Sequence, residues 1–123
     1  MADKIKVPNL YGAIVMVFPT NVSTSSVESQ FNKRITIDRY DDCIEVTYLE
    51  NVSNSWDVDD LLTALFEQCD IEYITSIVQK LGGYILVDIS FHSMEGATPA
   101  LLFYGKNMEI IRRLNACISI DIV

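Results

Sequence analysis

The clearest hydrophobic pattern lies in the last third of the chain. After Gly82-Gly83, an apolar residue occupies every second position from Ile85 to Phe91, and this period of two predicts a strand. A second apolar run, Thr98 to Tyr104, predicts another strand after a polar turn. Helical spacing follows, and alternation returns from Ile118 to Ile122, which predicts a final strand. The helix between them carries one apolar stripe, formed by Met108, Ile110, Ile111 and Leu114.

The first half of the chain predicts three more strands. Tyr11 to Phe18 is apolar on both faces, which is typical of a central strand in a sheet that is covered on both sides. Ile35 to Asp38 and Ile44 to Tyr48 each alternate, and Asp41-Asp42 between them predicts a hairpin turn. Asn51 to Ser55 is polar throughout, so we expect a loop there.

Three segments predict the remaining helices. Ser25 to Glu28 matches the S-x-x-E capping box and predicts a short helix that ends near Asn32. Asp57 is the expected N-cap of a second helix, Asp70 begins a third, and Gly82 ends it. A single helix with a kink near Asp70 is the alternative. The second helix has its apolar stripe at Val58, Leu61, Leu62, Leu65, Phe66 and Cys69.

The predicted order of elements is therefore β-α-β-β-α-α-β-β-α-β. Its first part follows the ferredoxin-like order of strands and helices. We predict a single α+β domain over residues 1–123, with an antiparallel-rich mixed sheet and helices mainly on one face. The predicted core includes Val15, Val17, Leu61, Leu65, Ile74, Val87, Ile89, Leu114, Ile118 and Ile120.

Composition and charge narrow the classes of partner. Half of the 123 residues are hydrophobic, so we expect a conventional core that needs no metal, cofactor or disulfide. The net charge of −8 argues against nucleic acid and favours a basic protein partner. Cys43, Cys69 and Cys117 are odd in number and lack C-x-x-C spacing, which is typical of a reducing compartment. With neither a signal peptide nor a membrane span in the sequence, we expect a cytoplasmic protein.

The residues that most often carry catalysis or metal binding have simpler explanations here. His92 has no nucleophile in a recognisable triad pattern near it. Asp57, Asp59 and Asp60 lack the glycine and the distal glutamate of a calcium loop, and helix capping accounts for them. Cys43 lies among acidic residues, which disfavour its thiolate. We therefore predict that the protein is not an enzyme.

The segment from Asp38 to Asp60 is strongly acidic and holds one basic residue, Arg39. Its charges are either solvated turn and cap residues or the binding surface for a basic partner. Trp56 is either a half-buried lid over the core or an interface anchor. The residues predicted to contact the partner, which we expect to lie together on the hairpin and the next helix N-terminus, are Asp38, Asp41, Asp42, Glu45, Trp56, Asp57, Asp59 and Asp60.

Several stretches of the chain form a further pattern: Ser55-Trp56 with the leucine-rich helix from Leu61, Thr98 to Leu101, Glu109 to Leu114, and Ala116 with Ile118 to Ile122. Together they resemble a family of small bacterial domains, the domain-of-unknown-function family four-two-seven-nine. The segment from Lys33 to Asn54 departs from the family, which carries prolines and glycines there. Such domains are similar in size to the immunity proteins of bacterial toxin systems. The resemblance implies a core and a fold, and it supplies no catalytic motif.

Two functions are consistent with these features. The first is an immunity protein that binds and neutralises a cognate toxin domain, such as a basic nuclease of a contact-dependent growth inhibition system. The second is a homo-oligomeric structural or adaptor domain without catalytic activity. A homodimer is expected if helices cover only one face of the sheet, because the apolar second face of Tyr11 to Phe18 then needs a subunit.

Overall fold

The structure, a computed structural model, describes residues 10–31, 35–53, 57–91 and 104–122. The α+β class and the order of the elements agree with the prediction. The strand predicted at Thr98 to Tyr104 lies outside the described residues, except for Tyr104, which precedes the last helix. The elements are β1 (Leu10–Phe18), α1 (Thr24–Glu28), β2 (Thr36–Arg39), β3 (Ile44–Ser53), α2 (Val58–Glu67), α3 (Ile71–Leu81), β4 (Tyr84–Phe91), α4 (Gly105–Leu114) and β5 (Cys117–Ile122).

The strands form one mixed sheet in the order β2-β3-β1-β4-β5. β1 pairs antiparallel with β3 and with β4, β2 pairs antiparallel with β3, and β5 runs parallel to β4. β3 therefore lies between β1 and β2, and β1 lies between β3 and β4. The units β1-α1-β2 and β3-α2-α3-β4 are thus split, each by a strand of the other. This arrangement confirms the ferredoxin-like start, and α4 with β5 extends the sheet.

β1 is the central strand, as its two apolar faces predict. Ile14, Met16 and Phe18 point to the face that α2 and α3 cover, and they belong to the main core with Leu61 of α2. The helix passes close to the strand at Gly12, where an added Cβ would lie 3.0 Å from the Leu61 side chain. Glycine there lets α2 pack directly on the sheet.

The second face of β1 carries a smaller apolar cluster of Ala13, Val15 and Val17, with Cys43 and Leu86 beside it. All three β1 residues are buried within the single chain. This burial removes the argument for a subunit on this face, and the possible homodimer stays a prediction.

The ends of α2 and α3 confirm the caps predicted for them. The Asp57 carboxylate accepts a hydrogen bond from the Asp59 N–H over 2.9 Å, and Asp70 accepts one from Tyr73 over 3.1 Å. Residues 68–70 separate α2 from α3, so the chain forms two helices there and not one kinked helix. Gly82 ends α3 with φ of 73°, a conformation that glycine adopts without a Cβ clash.

Two local predictions are wrong. The capping box at Ser25 does not form, because Ser23 is the N-cap of α1 and its hydroxyl pairs with the Ser25 hydroxyl, and the helix ends at Glu28. β3 continues through the expected loop as far as Ser53, because Leu10 to Ala13 of β1 provide partners for this part of β3. A register shift beside Ile14 accommodates Tyr48 and Leu49 on the core side.

The predicted core is wrong at the end of the chain. Ile118 and Ile120 are 37% and 40% exposed, because β5 is an edge strand of the described sheet. Met108 is 49% exposed, whereas Asn107 beside it is 2% exposed. The other predicted core residues are buried: Val15, Val17, Leu61, Leu65, Ile74, Val87, Ile89 and Leu114.

Candidate functional site

The structure divides the acidic segment into two separate groups. Asp38, Asp41, Asp42 and Glu45 lie at the β2–β3 hairpin, where β3 begins. Asp57, Asp59 and Asp60 follow the other end of β3, where α2 begins. A strand of this length spans about 30 Å, so the expectation that all these carboxylates lie together is wrong. Trp56 lies outside the described residues.

The carboxylates at the start of α2 serve the fold. Asp57 caps the helix, and the Asp59 carboxylate accepts hydrogen bonds from the Tyr104 N–H and the Asn107 amide, each over 2.9 Å. Asp59 therefore joins α2 to α4 through its Oδ1 atom. Asp60 is exposed in the first turn of α2, where the helix dipole favours a negative charge.

The four hairpin residues lie close together. The Tyr40 N–H donates to the Cys43 carbonyl over 2.9 Å and closes a two-residue loop of Asp41 and Asp42. Asp38 and Glu45 are direct partners across the hairpin, so their side chains point to the same face of the sheet. That face is opposite to the one that α2 and α3 cover, because Glu45 pairs with Val17 of the second apolar cluster.

The same row of the sheet continues to β4. Val17 pairs with Glu45 on one side and with Tyr84 on the other, so four strands align Tyr84, Val17, Glu45 and Asp38. Tyr84 and Tyr40 are each 52% exposed. At about 4.8 Å between strands, the row is roughly 14 Å long. The carboxylates of Glu45 and Asp38 and the exposed ring of Tyr84 therefore lie close enough together for one partner protein to contact all three.

A cleft of about 340 Å³ adjoins this row. Its walls are mainly apolar, and Asp42 contributes a carboxylate to its lining. The residues that line it are Val17, Phe18, Pro19, Asp42, Cys43, Gly82 and Tyr84. We call this cleft, with Asp38, Tyr40, Asp41 and Glu45, the hairpin end.

The electrostatics of the hairpin end are negative. The carboxylates of Glu45 and then Asp38 raise the pKa of the Tyr40 hydroxyl above its ordinary value. Partial burial and then the Asp42 carboxylate raise the pKa of the Cys43 thiol. A raised thiol pKa disfavours the nucleophilic thiolate, in agreement with the effect predicted for the acidic neighbours of Cys43. The carboxylates thus give the hairpin end a negative electrostatic potential.

A second polar group occupies the far end of the same face. The Tyr11 hydroxyl donates to the Glu50 carboxylate over 2.9 Å, and burial followed by this bond raises the pKa of Tyr11 to about 12. Burial and then the neighbouring Asp121 carboxylate raise the pKa of Asp88. Among the described residues, no group of three or more histidine, cysteine or acidic side chains is arranged to hold a metal ion.

The exposed tyrosines are the site residues that the sequence reasoning missed. Tyr84 carried a usable signal, because it occupies the side of β4 opposite to the buried Ile85 and Val87. Tyr40 adjoins the hairpin turn, where an aromatic side chain has no core to enter. Large aromatic residues at solvent-facing positions are typical of protein interfaces.

Two further observations concern the class of protein. No helix within the described ranges is long and apolar enough to cross a membrane. Comparison with protein-family models, with curated proteins and with solved structures finds no match to this chain.

Proposed function

We propose that this chain is an immunity protein, a cytoplasmic binder that neutralises a basic bacterial toxin domain without chemistry of its own. The observation that supports it is the hairpin end, where Asp42 and the exposed Tyr84 line a cleft, and three more carboxylates and the exposed Tyr40 lie on the adjoining hairpin. This proposal retains Asp38, Asp41, Asp42 and Glu45 as partner-binding residues. It does not use Asp57 and Asp59, which stabilise the fold.

The chemistry of the hairpin end suits a basic protein surface. Tyrosine combines a large apolar ring with a hydroxyl, and it is enriched among the residues that dominate binding energy. The cleft offers apolar walls for the methylene groups of a lysine or arginine and the Asp42 carboxylate for its charge. We therefore propose that one basic side chain of the partner enters the cleft between Tyr84 and Asp42.

The charge of the whole chain supports the same partner class. A net charge of −8 produces long-range attraction to a basic protein, and the carboxylates at the hairpin orient the encounter. Such attraction acts mainly on the association rate, whereas buried tyrosine contacts act on the dissociation rate. A nuclease whose active site is basic would be covered and blocked by an acidic surface of this kind.

A growth assay tests the proposal. The product of the adjacent open reading frame is expressed in bacteria, alone and together with this chain. We expect growth arrest by that product and rescue by this chain, and we expect the Asp41→Lys/Asp42→Lys variant to lose rescue while it stays folded. The matched control is Glu67→Lys/Glu72→Lys, which changes the net charge equally at exposed positions in the helix layer. Equal rescue by all three proteins would overturn the hairpin end as the binding surface.

The alternative function, a homo-oligomeric structural or adaptor domain, is favoured by a different observation. The exposed isoleucines lie on β5, at the edge of the described sheet that is farthest from β2. Absence of toxicity in the adjacent gene product, together with stable self-association, would favour this alternative.

A further inference from the structure

The two edges of the sheet differ in how they are protected. β2 has four residues and carries the charges of Asp38 and Arg39, which is a common way to discourage a further strand from pairing. β5 has six residues, three of them isoleucines, and Asp121 is its one charged side chain. Within the described ranges, β5 pairs with β4 alone, and none of these residues pairs with its other side.

The isoleucines of β5 are uncovered although they lie on the core side of the sheet. Ile118, Ile120 and Ile122 pair with Val87, Ile89 and Phe91, which are all buried. The isoleucines themselves are 37%, 40% and 63% exposed. They continue the apolar layer of the core beyond the point where the helices cover it.

We propose that β5 pairs antiparallel with β5 of a second copy of this chain, about a two-fold axis at Ile120. Residues opposite each other across this axis have numbers that add to 240. Ile120 then faces its own copy, and Ile118 faces Ile122 of the partner subunit. All three isoleucines of each protomer lie on one face and pack against those of the partner.

The polar side chains of β5 fit the same register. Ser119 lies opposite Asp121 of the partner subunit, so a hydroxyl donor meets a carboxylate on the face that carries no isoleucine. An axis at Asp121 would instead place two carboxylates opposite each other, which is unfavourable. An axis at Ser119 would leave Ile122 opposite Ala116, and a shift of one residue would set isoleucines against polar side chains.

The size of the contact makes the dimer weak. The exposed parts of three isoleucines and one strand edge fall well below the roughly 800 Å² per partner of a standard interface. We therefore expect reversible association that depends on concentration. The dimer joins two sheets of five strands into one and keeps both hairpins at its outer edges, so the proposed partner site stays open.

Sedimentation velocity of the full chain tests the dimer from about 5 µM to about 500 µM, a range suited to a small interface. We expect the sedimentation coefficient of the wild type to rise with concentration. Ile120→Lys should remain monomeric, because it sets two like charges opposite each other at the axis. Val52→Lys is the control, since it adds the same charge at an exposed aliphatic strand position on β3. A wild type that stays monomeric throughout, or an Ile120→Lys variant that associates equally, overturns the proposal.

Cross-linking tests the register even if Ile120→Lys fails to fold. In a Cys117→Ser background, Ile120→Cys brings two thiols directly opposite each other, whereas Ile122→Cys places them four residues apart. We expect mild oxidation to link Ile120→Cys at least about tenfold faster than Ile122→Cys. Equal rates would overturn the register. Protection, in a monomer, of the β5 amides that point away from β4 would instead show that the same chain covers the edge, and it would also overturn the proposal.

Discussion

The side-chain amide of Asn107 donates to the carboxylate of Asp59 over 2.9 Å and so joins the beginning of α4 to the beginning of α2. The same amide lies within hydrogen-bond distance of the Asp59 carbonyl, at 3.1 Å, and of the Thr63 hydroxyl, at 3.0 Å. Asn107 is 2% exposed, so these bonds are sheltered from water. The contact explains why Asp59, although part of an acidic segment, has a structural role.

Removing this amide should destabilise the fold. Asn107→Ala removes a buried donor that joins α4 to α2, while the Tyr104 N–H still reaches the Asp59 carboxylate, and we expect it to lower the free energy of unfolding by about 1–3 kcal/mol. Lys106→Ala, at the exposed neighbouring position, should change it by less than about 0.5 kcal/mol. Urea unfolding of the two variants measures the difference, and equal costs would contradict the role of Asn107.

Burial distinguishes two apolar residues that the sequence pattern treats alike. Leu114 is 2% exposed, and we expect Leu114→Ala to cost about 2–5 kcal/mol because it leaves a cavity between α4 and the rest of the core. Ile120 is 40% exposed, so Ile120→Ala should cost less than half as much in the monomer. Denaturant unfolding at low protein concentration is the measurement. A cost under about 0.5 kcal/mol for Leu114→Ala would show that this side of α4 faces solvent.

Asp88 should make stability depend on pH in a defined direction. Burial and the Asp121 carboxylate raise the pKa of Asp88 above its ordinary value of 3.8, so the folded protein holds this proton more tightly than the unfolded chain. Stability therefore falls as pH rises from 3.8 through the raised pKa, and the penalty is complete above it. We expect Asp88→Asn to stabilise the protein at pH 7 and to have little effect below 3.8.

Thermal unfolding across this pH range measures the Asp88 effect. Glu67→Gln is the control, because it removes one negative charge at an exposed position at the end of α2. If Asp88→Asn destabilised the protein at pH 7 and stabilised it in acid, the surroundings of Asp88 would favour its carboxylate, and its pKa would be lowered and not raised.

The sequence was sufficient wherever local chemistry decides the structure. The helix ends at Asp57, Asp70 and Gly82 depend on hydrogen bonds or backbone angles that involve only near neighbours in the chain. The two apolar faces of Tyr11 to Phe18 likewise predicted a central strand, because a strand whose two faces are both buried carries apolar residues on both.

Features that depend on distant parts of the chain could not be predicted. The alternation of Ile118 to Ile122 is the same for a covered strand and for an edge strand, and only the position in the sheet decides which one it is. Asn107 occupies a buried position because it hydrogen-bonds to Asp59. This partner lies 48 residues earlier, so the local sequence around Asn107 does not indicate it. The acidic residues are close in sequence, but β3 extends through ten residues and separates the hairpin carboxylates from those at the start of α2.

The association rate between this chain and the product of the adjacent reading frame is the sharpest test of the hairpin end as a binding surface. We expect Asp41→Lys/Asp42→Lys to slow association by at least about tenfold at low salt, and high salt to narrow this gap. The helix-layer control, Glu67→Lys/Glu72→Lys, should slow it far less, because its charges lie away from the contact. If both variants, folded as judged by thermal unfolding, bound as fast as the wild type at low salt, the hairpin carboxylates would be ordinary solvated charges and the interface would lie elsewhere.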